Sequence, residues 1–214
     1  MALILKRAPD GSLENILDRA ASLIHAGGAL AYPTETFYGL GVDALNEAAV
    51  ERLFAIKGRG FNRPVSVIIG HTDQLAGLVG AISEAAQKLM DAFWPGPLTI
   101  VLAAADGIPA RLTAGTGRIG VRLSSHEFAR RLALATGKPI TATSANLSGA
   151  PECRDAQAVQ DQIGDRIDAV VDLDEKGGSV GSTIVDATGP RLVILRPGLV
   201  FREAIERETG LGAE

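Results

Sequence analysis

Ser182-Thr183-Ile184-Val185-Asp186-Ala187-Thr188-Gly189-Pro190-Arg191-Leu192-Val193-Ile194-Leu195 sets two β-favouring runs on either side of a turn signal. Branched and apolar residues flanking Ala-Thr-Gly-Pro read as a hairpin-like strand pair. Strands joined so closely run antiparallel, so the sheet holding them is not purely parallel. Upstream the pattern changes. Short apolar runs at 29–32, 64–69, 98–102, 118–123, 140–143 and 169–173 alternate with segments of 3.6-residue periodicity at 12–25, 47–56, 83–93, 125–136 and 155–164. A first strand over 1–7 and a last amphipathic helix over 201–209 complete the chain. Strands alternating with helices, then strands in succession, point to one α/β domain with a twisted, mixed parallel and antiparallel sheet flanked by helices.

Two helices carry clear boundaries. Ser12 caps the segment 12–25, whose inward positions are Leu13, Ile16, Leu17, Ala20, Leu23 and Ile24, and Gly27-Gly28 stops it. In 83–93, Ala86, Leu89, Met90 and Phe93 face inward, and Trp94-Pro95-Gly96-Pro97 must break the helix because proline lacks an amide hydrogen and fixes φ.

The bulk properties restrict function. A chain of 214 residues with 46% hydrophobic and 21% charged content packs a core without disulfides or metals. No apolar run approaches the roughly 20 residues of a spanning helix. The N-terminus has its charges after its apolar residues, unlike a secretion signal. Cys153 is the sole cysteine, which excludes an internal disulfide and a cysteine-based zinc site, and fits a reducing cytoplasm. Glu152 and Asp155 beside it disfavour a thiolate, so it reads as an ordinary loop thiol. His25, His71 and His126 share no ligand spacing, so no metal site is expected. A net charge of −4 and nine aromatic residues argue against sequence-independent nucleic-acid binding.

Chemistry gathers in a few stretches. Lys57-Gly58-Arg59-Gly60-Phe61-Asn62-Arg63-Pro64 places three cations at a helix end and in the loop after it. They either complement the negative end of the helix dipole or converge on phosphate. Thr143-Ser144-Ala145-Asn146-Leu147-Ser148-Gly149 adds neutral donors and acceptors. Thr34-Glu35-Thr36-Phe37-Tyr38-Gly39-Leu40-Gly41-Val42-Asp43, at a strand end, is either a reader of a small polar ligand or a turn packed on the sheet. In the strand after Thr116-Gly117, Arg118 and Arg122 share a face with Gly120 between them: a second anion-facing element, or a solvated edge strand. Gly177-Gly178-Ser179-Val180-Gly181-Ser182-Thr183 lacks the Gly-Lys-Ser/Thr ending of a Walker loop.

Taken together and in order, Pro33-Thr34-Glu35-Thr36-Phe37-Tyr38-Gly39-Leu40-Gly41, Lys57-Gly58-Arg59, Trp94-Pro95-Gly96-Pro97-Leu98-Thr99, Ser144-Ala145-Asn146-Leu147-Ser148-Gly149 and Gly181-Ser182-Thr183-Ile184-Val185-Asp186 resemble the YrdC/TsaC family. The resemblance runs from about 12 to 198 and implies a single YrdC-like domain over 1–214 with a basic concave site. Some relatives carry a further C-terminal domain, which this chain ends too soon to hold. The implied activity is L-threonylcarbamoyladenylate synthesis: L-threonine, bicarbonate or CO2, and ATP give threonylcarbamoyl-AMP and pyrophosphate, for modification of tRNA position 37. The implied enzyme is a cytoplasmic nucleotidyltransferase using Mg2+. Its product passes to downstream tRNA threonylcarbamoyl transferase proteins, with at most a weak tRNA contact and no membrane.

By the same resemblance Lys57 and Arg59 are catalytic and, with Arg63, hold the triphosphate. Ser144, Asn146, Arg118 and Arg196 contact the nucleotide, and Thr36, Tyr38, Arg122, the backbone near Ala142 and Ser182 surround threonine. Two positions depart from the family. Many relatives have proline at Gly60, whose absence should loosen the loop, and some place histidine against threonine where this chain has Ile68; Tyr38 or a substrate phosphate then substitutes in handling the amine. Two other readings stand beside this one: an RNA-binding or ribosome-maturation protein using the same cleft, and a carbamoyl-adenylate module like that of hydrogenase-maturation carbamoyltransferases, which a single cysteine disfavours.

Overall fold

A computed structural model describes residues 1–8, 10–61 and 63–213; Asn62, inside the cationic loop, lies outside the described residues. The strands are β1 (Leu3–Lys6), β2 (Leu30–Tyr32), β3 (Gly39–Gly41), β4 (Val67–Ile69), β5 (Leu98–Ala103), β6 (Arg118–Leu123), β7 (Ile140–Thr141), β8 (Thr143–Ser144), β9 (Ala169–Asp172), β10 (Thr183–Asp186) and β11 (Val193–Arg196). The helices are α1 (Glu14–His25), α2 (Glu47–Lys57), α3 (Glu84–Phe93), α4 (Ala110–Thr113), α5 (Glu127–Ala135), α6 (Ala156–Ile163) and α7 (Arg202–Thr209).

The expected mixed α/β character holds, with the strands divided between two sheets. One has the order β1-β9-β2-β3-β8, the other β11-β10-β5-β6-β4-β7. Each mixes parallel pairs, such as β1 with β9 and β10 with β5, with antiparallel ones, such as β2 with β3 and β5 with β6. The β10–β11 pair is antiparallel, with a register shift between Ile184 and Val185. β6 lies inside its sheet, which rules out a solvated edge strand for Arg118 and Arg122.

The two sheets meet where the expected strand 140–143 divides. β7 pairs with β4 of one sheet and β8 with β3 of the other. Thr141 explains the break: its hydroxyl donates to the Leu40 carbonyl at 2.9 Å and accepts from the Val42 amide at 3.0 Å, which ties it sideways to the other sheet. At Ala142 the chain crosses, its amide donating to the Ser66 carbonyl at 2.8 Å. Tyr32 adds a second tie, its hydroxyl donating to the Thr141 carbonyl at 2.8 Å. Its ring lies flat on β3: a Cβ at Gly41 would meet the ring at 2.8 Å and one at Gly39 at 3.0 Å. Glycine is required at both positions because a backbone approaches an aromatic face.

Helices cover the outer faces. α1 packs against α5, burying Ile16, Leu17, Ala20, Ala21 and Ile24 together with Tyr32, Ile68, Phe128 and Leu132. Each large aliphatic side chain buried there is worth roughly 1.5–3 kcal/mol. Leu23 is only partly buried, and Leu13 occupies the N-cap position of α1 with no side-chain cap, so Ser12 does not cap it. Instead the Ser12 amide donates to Asp10 Oδ1 at 2.9 Å. Asn46 and Ser83 do cap α2 and α3, accepting from Ala49 and Ala86. α2 ends on Gly58 with φ +61°, a conformation that costs glycine nothing. No described helix is long and apolar enough to cross a membrane.

Candidate active site

α2 and the loop after it deliver the cations. Phe61 pins that loop: its ring lies 4.7 Å from Phe54 and the Arg111 guanidinium lies 4.3 Å above it, while Arg111 pairs with Glu51 at 2.8 Å. The Arg59 amide also donates to the Phe54 carbonyl at 3.2 Å. These contacts tie Arg59 and Phe61 to α2.

Two adjoining chambers open beside it. The inner one, about 230 Å3, lies at the seam between the sheets and is lined by Thr36, Tyr38, Arg59, Arg122, Ala142, Ser144, Ser182 and Arg196, among others. At several times the ~30 Å3 share of one water, it has room for a small amino acid. The outer chamber, about 520 Å3, is lined by Lys57, Arg59, Arg63, Ser144 and Asn146, with Ser148 to Glu152 as its far wall. Arg59, Thr143, Ser144 and Glu152 form the rim common to both.

The inner floor is built from strand alternation. Arg122, buried in β6, donates from Nη1 to Thr36 Oγ1 at 3.1 Å and lies 3.5 Å from Glu35 Oε1; Glu35 Oε2 accepts from the Ser124 hydroxyl. Thr36 is fixed in turn by Thr34 Oγ1, 2.9 Å away. On the facing strands, Thr99 Oγ1 and Ser182 Oγ are 2.9 Å apart. Arg196, at the end of β11, donates from Nε and Nη2 to the Ser182 carbonyl at 3.1 and 2.7 Å, and from Nη2 to Ser182 Oγ at 3.0 Å. A Cβ on Gly181 would stand 3.2 Å from Nη2, so a small residue there lets the guanidinium lie over the chamber.

Several donors are left without partners. Nε and Nη2 of Arg59 are buried with no hydrogen-bond partner among the described residues, and so is the Tyr38 hydroxyl. A buried donor left unpaired costs about 1–3 kcal/mol, more when charged, so these groups are aimed at something that completes them. Burial and the neighbouring Arg63 push the Arg59 guanidinium below its ordinary range. Burial, with Asp172 and Asp155 adding to it, pushes the Tyr38 phenol above 10, so it is neutral and a hydrogen-bond donor. Three arginines and one carboxylate, Glu152, line the inner chamber, an environment for anions.

Lys57 differs from the expected phosphate contact. Its ammonium, 3% exposed, donates to the Ser144 carbonyl at 2.5 Å, the Asn146 carbonyl at 2.9 Å and Asn146 Oδ1 at 3.0 Å. All three hydrogens are therefore engaged, and Lys57 works here as a post for the 144–146 loop. Burial, and then the charge of Arg59, bring it down to about 8. Asn146 is committed as well: Oδ1 also accepts from Ser144 Oγ at 2.7 Å, and Nδ2 donates to the Ala150 carbonyl at 2.6 Å. Arg118 joins neither chamber; it pairs with Asp186 at 2.6 Å at the other end of β6. Ile68 is fully buried in the core with Tyr32 and does not line the chambers. Cys153 is buried, its thiol pushed up to about 11 by burial and Asp155, which removes it as a nucleophile.

Sequence reasoning missed Thr99, Ser66 and Glu152 as chamber residues. Thr99 was detectable, as a polar residue inside the buried run 98–102. Glu152 carried no local signal, because its place on the rim follows from the loop's return across α2. No group of three or more His, Cys, Asp or Glu among the described residues can hold a metal ion.

The Sua5/yciO/yrdC family model, described as telomere recombination, matches residues 22–198. A threonylcarbamoyl-AMP synthase of Pyrococcus abyssi is 41% identical over 191 residues, covering 89% of this chain and 56% of that protein. One of Vibrio cholerae is 39% identical over 184 residues, covering 85% of this chain and 97% of its own length. A crystal structure of P. abyssi Sua5 complexed with L-threonine superposes with a TM-score of 0.92 at 37% identity, covering all of this chain and 62% of the other. The chain thus spans a little over half the length of its P. abyssi and Bacillus subtilis relatives.

Proposed function

Because the chain belongs to the Sua5/YciO/YrdC family, we propose that it is a threonylcarbamoyl-AMP synthase, joining L-threonine, bicarbonate or CO2, and ATP with release of pyrophosphate. The observation that carries this reading is the pair of buried, unpartnered Arg59 nitrogens on the rim between a chamber of amino-acid size and a wider one. An anion crossing that rim would complete them. Relatives that bear the synthase name, and one whose structure holds L-threonine, agree with it.

In this reading threonine sits in the inner chamber, its carboxylate toward Arg122 and its hydroxyl among Thr36, Ser182 and Thr99. The amine turns toward the rim, captures CO2, and the resulting carbamate oxygen attacks the α-phosphorus in line while the bond to pyrophosphate breaks. ATP lies in the outer chamber with its phosphates on Arg59 and Arg63, and Arg196 meets its α-phosphate end from the inner chamber. The protein forms no covalent bond; it positions the reactants and neutralises charge that builds on the phosphate. Lys57 contributes by holding Ser144 and Asn146 in shape. Mg2+ would neutralise phosphate charge, and with Glu152 the one carboxylate among the described residues that line the chambers it would arrive on the nucleotide rather than in a protein cage.

The product is destined for tRNA through downstream transferase proteins, in the cytoplasm; a tRNA contact by this chain itself is weak at most. The RNA-binding alternative gains no support from a chain of net charge −4. Pyrophosphate release from ATP, measured with Mg2+ and bicarbonate, tests the proposal. We expect release with L-threonine and little with L-serine or no amino acid; a folded protein silent under all three conditions overturns it.

A further inference from the structure

Threonine enters solution chemistry as an ammonium, which has no lone pair to offer CO2. Something must take a proton where the amine lies. The titratable groups lining the inner chamber are Tyr38, Arg59, Arg122, Glu152 and Arg196. Three are guanidiniums, which do not act as bases in proteins. Tyr38 is a phenol held neutral by burial, and so a donor. Cys153 and Ile68 do not line the chamber, and neither does Glu35, whose Oε2 accepts from Ser124 and whose Oε1, without a hydrogen-bond partner among the described residues, is turned to Arg122 Nη1 at 3.5 Å. Among the described residues that line the chamber, Glu152 is the one acceptor of protons left.

We propose that Glu152 is the general base of the reaction, taking a proton from the substrate ammonium at the rim between the two chambers. The assignment rests on the synthase reading above and extends it to a residue that the family resemblance does not name. Its position suits the task. Glu152 lines both chambers, so it stands where amine and nucleotide must meet, and it is exposed, so its proton escapes to water between turnovers. The Tyr38 amide donating to the Cys153 carbonyl at 3.0 Å fixes the backbone next to it. The groups facing it are Lys57 from α2, Arg59 and Arg63 from the following loop, Arg122 from β6, Arg196 from β11, and its chain neighbours Cys153, Arg154 and Asp155.

The step balances. The Glu152 carboxylate takes one ammonium proton, the freed nitrogen lone pair attacks the carbon of CO2, and one C=O pair moves onto oxygen. A second N–H proton passes to water, leaving a carbamate anion. Protonated Glu152 is then neutral as carbamate approaches phosphate, so the base removes its own charge from the path of the anion it has made.

The test is the pH dependence of threonine-driven pyrophosphate release by wild type and Glu152→Gln, read as the ratio of their kcat values from pH 7 to 10, with melting temperatures as a check on folding. Taking the ratio cancels groups titrating in both proteins, Lys57 among them. General-base removal predicts a deficit on the order of 100-fold at pH 7 that shrinks steadily toward pH 10, where free amine is abundant. Glu152→Asp should recover part of the loss at pH 7. A deficit constant across pH, one relieved by added Mg2+, or no deficit overturns the assignment. Activity of the wild type in the same assay reports separately on the synthase reading.

Discussion

Replacing Lys57 by methionine separates charge from shape at the centre of the site. The ammonium is 3% exposed and lowered from 10.5 to about 8, chiefly by burial. At ~1.4 kcal/mol per tenfold change, holding it charged in the fold costs about 3 kcal/mol. Its three hydrogen bonds to the 144–146 loop oppose that cost, charge-assisted bonds being worth roughly 1.5–3 kcal/mol each. The sign of the pH effect follows from the depressed value: between about 8 and 10.5 the unfolded chain binds the proton and the folded chain does not, so stability rises with pH there. The penalty is fully present below pH 8 and gone above 10.5. Methionine carries no proton, so this contribution is missing from Lys57→Met. Urea denaturation at pH 7 and pH 10 should therefore show wild type gaining on the variant by about 2–3 kcal/mol. Turnover should move the opposite way, because a neutral amine no longer offers three hydrogens to its three acceptors. If the stability difference stays level within ~0.5 kcal/mol across that interval, the ammonium is not desolvated and the account of Lys57 as a buried charged post is wrong.

Arg59→Ala should cut threonine-dependent pyrophosphate release by about 10²–10³-fold. It should leave folding stability within about 1 kcal/mol, since the buried Nε and Nη2 have no hydrogen-bond partner among the described residues and the contact removed there is the one with Phe54 at 5.0 Å; near-normal turnover would refute the phosphate role. Gly41→Ala brings a methyl to 2.8 Å from a Tyr32 ring that its hydroxyl bond holds in place. Thermal denaturation should register a loss of about 1–3 kcal/mol, and an unchanged melting temperature would mean that the ring is free to move.

The helices were legible because apolar spacing is local, but their ends were less so: Ser12, read as a cap, does not cap α1, while Asn46 and Ser83, which do cap α2 and α3, were not read as caps. The cationic loop and the Thr36, Arg122 and Ser182 group were legible for a related reason, as polar or charged residues among apolar strands with a family pattern around them. What escaped depends on contacts across the chain. Nothing near Thr141 announces that its hydroxyl will bond Leu40 and Val42 and split one strand between two sheets. Arg118 and Arg122 look equivalent in a strand, and only the return of β10 with Asp186 at one end separates an ion-paired arginine from a chamber arginine. Lys57 sits in a phosphate-like motif, yet its hydrogens go to carbonyls of a loop about 90 positions away, which spacing does not reveal.

The passage of the backbone through Ala142 from one sheet to the other limits how this protein can move. Sliding one sheet over the other would tear the Ala142 amide from Ser66 and the Tyr32 hydroxyl from Thr141 at once. The seat for a small ligand is thereby tied to both sheets at once, so a substitution that loosens either bond reaches the chamber floor without touching a chamber side chain.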